Sequence, residues 1–179
     1  MPMIDVYAAQ GTFEDKHALA QDLAAAVMRW EQVPDLALFR DNTAAFVHEL
    51  PAEAISNVAG GSDYVRVQVL TPAGVLDRDK QLGVVRELTD IVAAKAGDAG
   101  LAKRTWVLLT ESPEGGWGVG GHANTADDLT AAARAEIAAK NSGSRIVSPQ
   151  SLSNERHSRR HSQESFRTMR RCRIPRHSP

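Results

Sequence analysis

The chain has 179 residues, 42% of them hydrophobic and 5% aromatic, with a formal net charge of −1. That is enough for one aliphatic core, or for a compact double unit with a tail. Cys172 is the sole cysteine, which excludes an internal disulfide and a cysteine metal cluster. No run of about eighteen apolar residues occurs, so no membrane span is expected. The start carries Asp5 and lacks a basic, apolar leader, which argues against secretion, and the alanine-rich helical stretches suit a cytoplasmic protein.

Taken in chain order, the first predicted element is a strand over "MIDVY", directly behind Pro2. Proline has no backbone donor, and it is tolerated at the first position of a strand. A second reading is that Met1 is removed, as is usual before a small residue, leaving Pro2 as a secondary amine able to act as base or nucleophile. Leu19, Leu23, Val27 and Trp30 then recur at helical spacing from about Glu14 to Glu31. A strand follows in "AAFVHEL", ending at Glu49-Leu50-Pro51. The clean alternation "VRVQVL" predicts a third strand, and the loop "TPAGVLDRDK" leads into a helix from about Asp77 to Ala96. Leu82, Val85, Leu88 and Val92 mark that helix, and Gly97 is its stop. The strand "TWVLL" runs into Glu111-Ser112-Pro113, and "GGWGVGG" predicts a tight hairpin.

The order strand, helix, strand therefore occurs twice. Aligning Glu49-Leu50-Pro51 with Glu111-Ser112-Pro113 gives an offset of 62 residues. A helix between two strands favours a parallel pair with a right-handed crossover. The expected fold is α/β (α+β): two fused β-α-β units, residues 1–62 and 63–140, forming one four-stranded mixed sheet with two helices on one face. The second unit adds the glycine-rich hairpin and a short terminal helix. The other sheet face stays bare, which calls for an oligomer.

Residues 1–140 hold 12 Lys+Arg and 20 Asp+Glu, whereas residues 141–179 hold 9 Arg and 2 acids. This change of sign, with a Ser- and Arg-rich composition, predicts a basic disordered tail over residues 141–179. Without interleaved aromatics or a fold to present the arginines, nucleic acid is not the expected partner, although the charge leaves that role open.

The leading Pro2, the step Thr110-Glu111 after "TWVLL" and the hairpin "GGWGVGG" resemble the tautomerase superfamily, of which 4-oxalocrotonate tautomerase is the simplest type. The doubled unit with a single leading proline is similar to fused members such as cis-3-chloroacrylic acid dehalogenase. "KHA" at Lys16 to Ala18 and "WV" at Trp106 add to that likeness, which covers roughly residues 2–125. The resemblance implies a homotrimer packed through the bare sheet faces and a site near Pro2. The body's His17, His48 and His122 are scattered, so neither a metal nor an organic cofactor is expected. The resemblance also implies keto–enol tautomerisation of a small carbonyl or 2-oxo acid compound, with Pro2 as general base. The alternatives at the same site are hydration, dehalogenation or decarboxylation, or a trimeric small-molecule-binding protein without catalysis. Trp117 aligns with the aromatic residue that walls the family's pocket; packing at a subunit contact is the other reading. Glu111 aligns with the carboxylate that activates water in the hydrating members. The family's carboxylate-binding arginines are replaced here, by Pro72 and Val75 among others. Carboxylate capture needs a cation, so Arg78 is the leading substitute clamp, with Arg66 and Arg104 as alternatives.

Overall fold

The computed structural model describes residues 1–144, so the tail expected to be disordered lies, from residue 145 on, outside the described residues. Strand β1 (Met3–Ala9) buries Ile4, Val6 and Ala8 on alternate positions. Helix α1 (Lys16–Glu31) starts at Asp15, whose carboxylate accepts the Ala18 N–H at 2.8 Å. Strand β2 (Ala44–Leu50) lies parallel to β1, with Met3 opposite Ala44.

The second unit repeats the plan. Strand β3 (Val65–Pro72) leads to helix α3 (Arg78–Ala96), capped at one end by Asp77 and at the other by left-handed Gly97. Strand β4 (Thr105–Ser112) runs parallel to β3, with Val65 opposite Thr105. The strand order is β2-β1-β3-β4, and the central pair β1–β3 is antiparallel. The four-stranded mixed sheet of the sequence reading is thus present. An offset of 62 carries Lys16 to Arg78, and Pro2 to Tyr64. Because the central pair is antiparallel, Pro2 and Tyr64 start their strands at opposite ends of the sheet.

Ile4, Val6, Val67 and Val69 pack from the sheet against Leu19, Leu23, Val27, Val84, Leu88 and Val92 of the helices. Each such side chain contributes about 1.5–3 kcal/mol on burial. Where α1 meets α3, Gly83 is required by close approach: a Cβ there would lie 2.1 Å from the Trp30 ring. That ring is held in place by its Nε1–H, which donates to Glu87 at 2.7 Å.

The opposite sheet face is open in the single chain, apolar at its edges and polar along its centre. Phe46, Trp106 and Leu108 remain 52%, 45% and 44% exposed. Between them, His48 Nε2 lies 2.7 Å from Asp5, its ring stacks on Tyr7, and Arg66 sits over the Tyr7 ring.

Four further elements belong to the second unit and to the connection between α1 and β2. Helix α2 (Ala37–Asp41) precedes β2, and strands β5 (Trp117–Val119) and β6 (His122–Asn124) form the expected hairpin. The terminal helix, α4 (Ala126–Ser144), is 19 residues long rather than short, and it crosses the expected boundary at residue 140. A capping exchange starts it: Thr125 Oγ1–H donates to Asp128, and the Asp128 N–H donates back to Thr125 Oγ1. No helix among the described residues is long and apolar enough to cross a membrane.

Candidate active site at the chain start

The start of the chain is buried. Met1, Leu36, Phe39, Trp117 and Ala133 form a second small core, apart from the one between sheet and helices. This cluster borders a cavity of about 350 Å³, lined by Met1, Glu31, Phe39, Pro72, Ser112 and Trp117. Helix α4 covers it with Leu129, Ala133 and Arg134. The elements that build it come from both units: the end of α1, the α2 turn, the ends of β3 and β4, the hairpin and α4.

Two local devices hold this roof in place. The Glu136 carboxylate of α4 accepts the N–H groups of Ala37 and Leu38 at 2.9 and 3.1 Å. The Leu38 N–H, foremost, holds the Glu136 carboxyl below its ordinary value. Glu114 accepts the Ala126 N–H at 2.8 Å and so ties the loop after β4 to the start of α4.

Inside the cavity the wall is mainly apolar, with few polar groups. The Met1 ammonium donates to Glu31 Oε2 at 2.9 Å, with both groups only 1% exposed. Glu31 Oε1 and Trp117 Nε1 are buried with no hydrogen-bond partner among the described residues. Burial pushes the Glu31 carboxyl up, against the pull of the terminal ammonium and of Lys80. Arg134 is the only arginine or lysine among the described lining residues.

The sequence-predicted site residues divide sharply. Pro2 is buried behind Met1, and its carbonyl accepts the Ala44 N–H at 3.3 Å. Trp117, 6% exposed, stands in the cavity wall as well as in the cluster around Met1. Glu111 lies elsewhere: its Oε1 accepts the Gly74 N–H at 2.9 Å, beside Thr71, Leu76 and Gln81. Glu49 does the same for Gly11 at 3.0 Å in the first unit. In both units the carboxylate therefore pins the turn that follows the unit's first strand.

Arg78 lines a separate groove between α3 and β4, with Leu82, Val85 and Leu109. Arg104 is tied to Asp63 and to Asp98. Arg66 lies on the open sheet face and donates to Gln68 at 2.9 Å. Within one chain these three arginines do not meet Pro2. The sequence reading missed Glu31 and Arg134. For Glu31 a signal existed, because Leu19, Leu23 and Val27 step by four onto it, placing an acid on an apolar stripe.

Neither a family model nor a curated protein matches the chain. Solved structures do match. A fused 4-OT wild type symmetric trimer is 22% identical with a TM-score of 0.58, covering 67% of this chain and 93% of its own. Pt0534 inactivated by 2-oxo-3-pentynoate is 17% identical with a TM-score of 0.59, covering 71% of this chain and 98% of its own. A macrophage migration inhibitory factor from Toxoplasma gondii is 11% identical with a TM-score of 0.50, covering 66% and 96%. The fold is thus the tautomerase-type fold in its fused, double-unit form.

Proposed function

We propose that the chain is a tautomerase-type isomerase, in which excision of Met1 exposes the Pro2 secondary amine as the general base for keto–enol tautomerisation of a small carbonyl compound. The observation that carries this reading is the burial of the chain start in a mainly apolar cavity, beside Trp117. An ordinary α-amino group has a pKa of about 8 and is mostly protonated at neutral pH. An apolar wall disfavours the ammonium and moves that value down, so that more of the amine is free to accept a proton. The neutral amine removes a proton from the carbon next to the carbonyl and returns it at another position.

The cavity also bears on the substrate. With Arg134 as the only lysine or arginine among the described lining residues, the substrate is a compact apolar carbonyl compound with at most one carboxylate, directed toward α4. Arg78, Arg66 and Arg104 could act on it only from a neighbouring subunit, and Arg66 is placed for that on the open sheet face. The fused 4-OT neighbour is described as a trimer, which supports the same assembly here. Activation of water by Glu111 draws no support from its place on the Gly74 turn.

The test uses the reagent named for Pt0534, 2-oxo-3-pentynoate. An untagged chain, shown by mass spectrometry to begin at Pro2, is expected to gain one covalent adduct on its N-terminal peptide. In a chain retaining Met1 the Pro2 nitrogen is an amide and not nucleophilic, so fragment masses should show no adduct on Pro2, any label there lying on the free Met1 amine. An unmodified N-terminal peptide in the processed chain would overturn the assignment of Pro2.

A further inference from the structure

We infer that Glu31 is a second proton-transfer group of this site, facing the Pro2 amine across the space that Met1 occupies. This rests on the reading of Pro2 as the base.

Geometry comes first. The terminal nitrogen of the unprocessed chain lies 2.9 Å from Glu31 Oε2. Successive α-carbons are about 3.8 Å apart, so removing Met1 withdraws the amine by roughly that length and leaves the Glu31 carboxyl where α1 holds it. The vacated gap spans a few ångströms, which suits one row of reacting atoms between amine and carboxyl. Oε1 of Glu31 is buried without a partner among the described residues. Such an atom is costly to leave bare and is well placed to meet a ligand.

The internal repeat supplies an independent argument. The same offset of 62 that matches the two units carries Glu31 onto Ala93. Both residues lie on the inner side of their helices, and Ala93 is 9% exposed. A small apolar residue therefore fills this place in the unit whose strand begins with Tyr64, and a carboxylic acid fills it in the unit that begins with Pro2. A buried acid without a working partner would destabilise the fold, so its presence beside the amine, and absence at the other end of the sheet, points to use.

Among the described residues, the charged groups acting on Glu31 are the terminal amine and Lys80 at the start of α3, while Glu114 and Arg134 line the same cavity. Burial favours the protonated carboxyl. Amine and acid together then hold one proton, on the nitrogen or on the oxygen.

The step balances without any other reagent. Neutral Pro2 takes the proton from the carbon beside the carbonyl, and the C–H electron pair forms the C=C bond. Glu31 gives its proton to the carbonyl oxygen, yielding the enol, a Pro2 ammonium and a Glu31 carboxylate. In the reverse direction the carboxylate takes the enol proton and the ammonium protonates carbon. Transfer of one proton from ammonium to carboxylate restores the pair.

The experiment uses the full, processed chain labelled with [15N]proline and its Glu31→Gln, Glu31→Asp and Pro2→Ala variants. The terminal nitrogen of Pro2 is titrated by NMR, and ketonisation of the enol of phenylpyruvate is followed by absorbance. Glu31→Gln is expected to lower the apparent pKa of the amine by about one unit, a tenfold change in proton affinity, since the nearby anion is gone. It should also lower kcat about 10²–10⁴-fold, with KM within about threefold and the acid limb of the pH–rate profile lost; Glu31→Asp should recover part of the rate. An amine titration unchanged by Glu31→Gln overturns the inference whether or not this enol is turned over. Unchanged kcat in Glu31→Gln overturns it too, while a large loss in Pro2→Ala in the same assay leaves the base intact.

Discussion

Trp117 brings an unusual combination into the cavity: a large apolar ring, nearly fully buried, and an Nε1–H with no acceptor among the described residues. A ligand carbonyl reaching it would satisfy that donor. Trp117→Phe keeps most of the packing, so stability should change by less than about 1.5 kcal/mol. KM for an oxygen-bearing substrate should rise by about two- to tenfold, the worth of one neutral hydrogen bond. An unchanged KM would confine Trp117 to a packing role. Glu111 gives the converse case. Gln at that position can still accept the Gly74 N–H, so Glu111→Gln should retain turnover within about threefold if the carboxylate serves only the turn. At this scale, position and hairpin context in the sequence single out Pro2 and Trp117 as candidates. Glu31 escaped because an acid ending a helix usually faces water, and only the terminal amine opposite it reveals otherwise.

The helices show which local signals suffice and which do not. Asp77 and Gly97 announced the limits of α3 through ordinary capping chemistry, whereas α1 starts two residues past the expected Glu14, behind the Asp15 cap. The contact between those helices was not legible, since nothing near Gly83 in sequence mentions Trp30. Gly83→Ala should gain about 1 kcal/mol of helix propensity yet lose about 1–3 kcal/mol to overpacking, because the tryptophan is anchored to Glu87. A net fall in Tm on calorimetry is the expected outcome. Helix α4 was foreseen as short because its dock is remote: Glu136 meets backbone donors nearly a hundred residues earlier. That contact also predicts a pH response. The folded Glu136 value lies below the ordinary 4.5, so its contribution is present above about 4.5 and is lost as pH falls through the lower folded value. Amide signals of Ala37 and Leu38 should shift over that acid window in the wild type and lose that response in Glu136→Gln.

At the scale of the whole molecule, the doubled β-α-β plan was legible because the two halves share strand and helix spacing, and each period matches its element. The site was not, because its wall combines α2, the hairpin and α4, whose meeting depends on tertiary packing. The open sheet face leads to a further expectation. Leu108→Glu places a charge beside exposed Trp106 on the β4 edge of this face, and sedimentation should show smaller species than the wild type if that face joins subunits. A chain ending at Ser144 should keep the wild-type sedimentation behaviour, since every element described here lies before that point. The antiparallel centre of the sheet has a stoichiometric consequence. Two near-copies of one unit lie head to tail, but only one can have its first strand preceded by a free terminus; the other begins from Tyr64, in mid-chain. If Pro2 is the base, as proposed, the doubled framework carries a single reactive group, and calorimetric titration with a tight ligand of the amine site should saturate at one equivalent per chain.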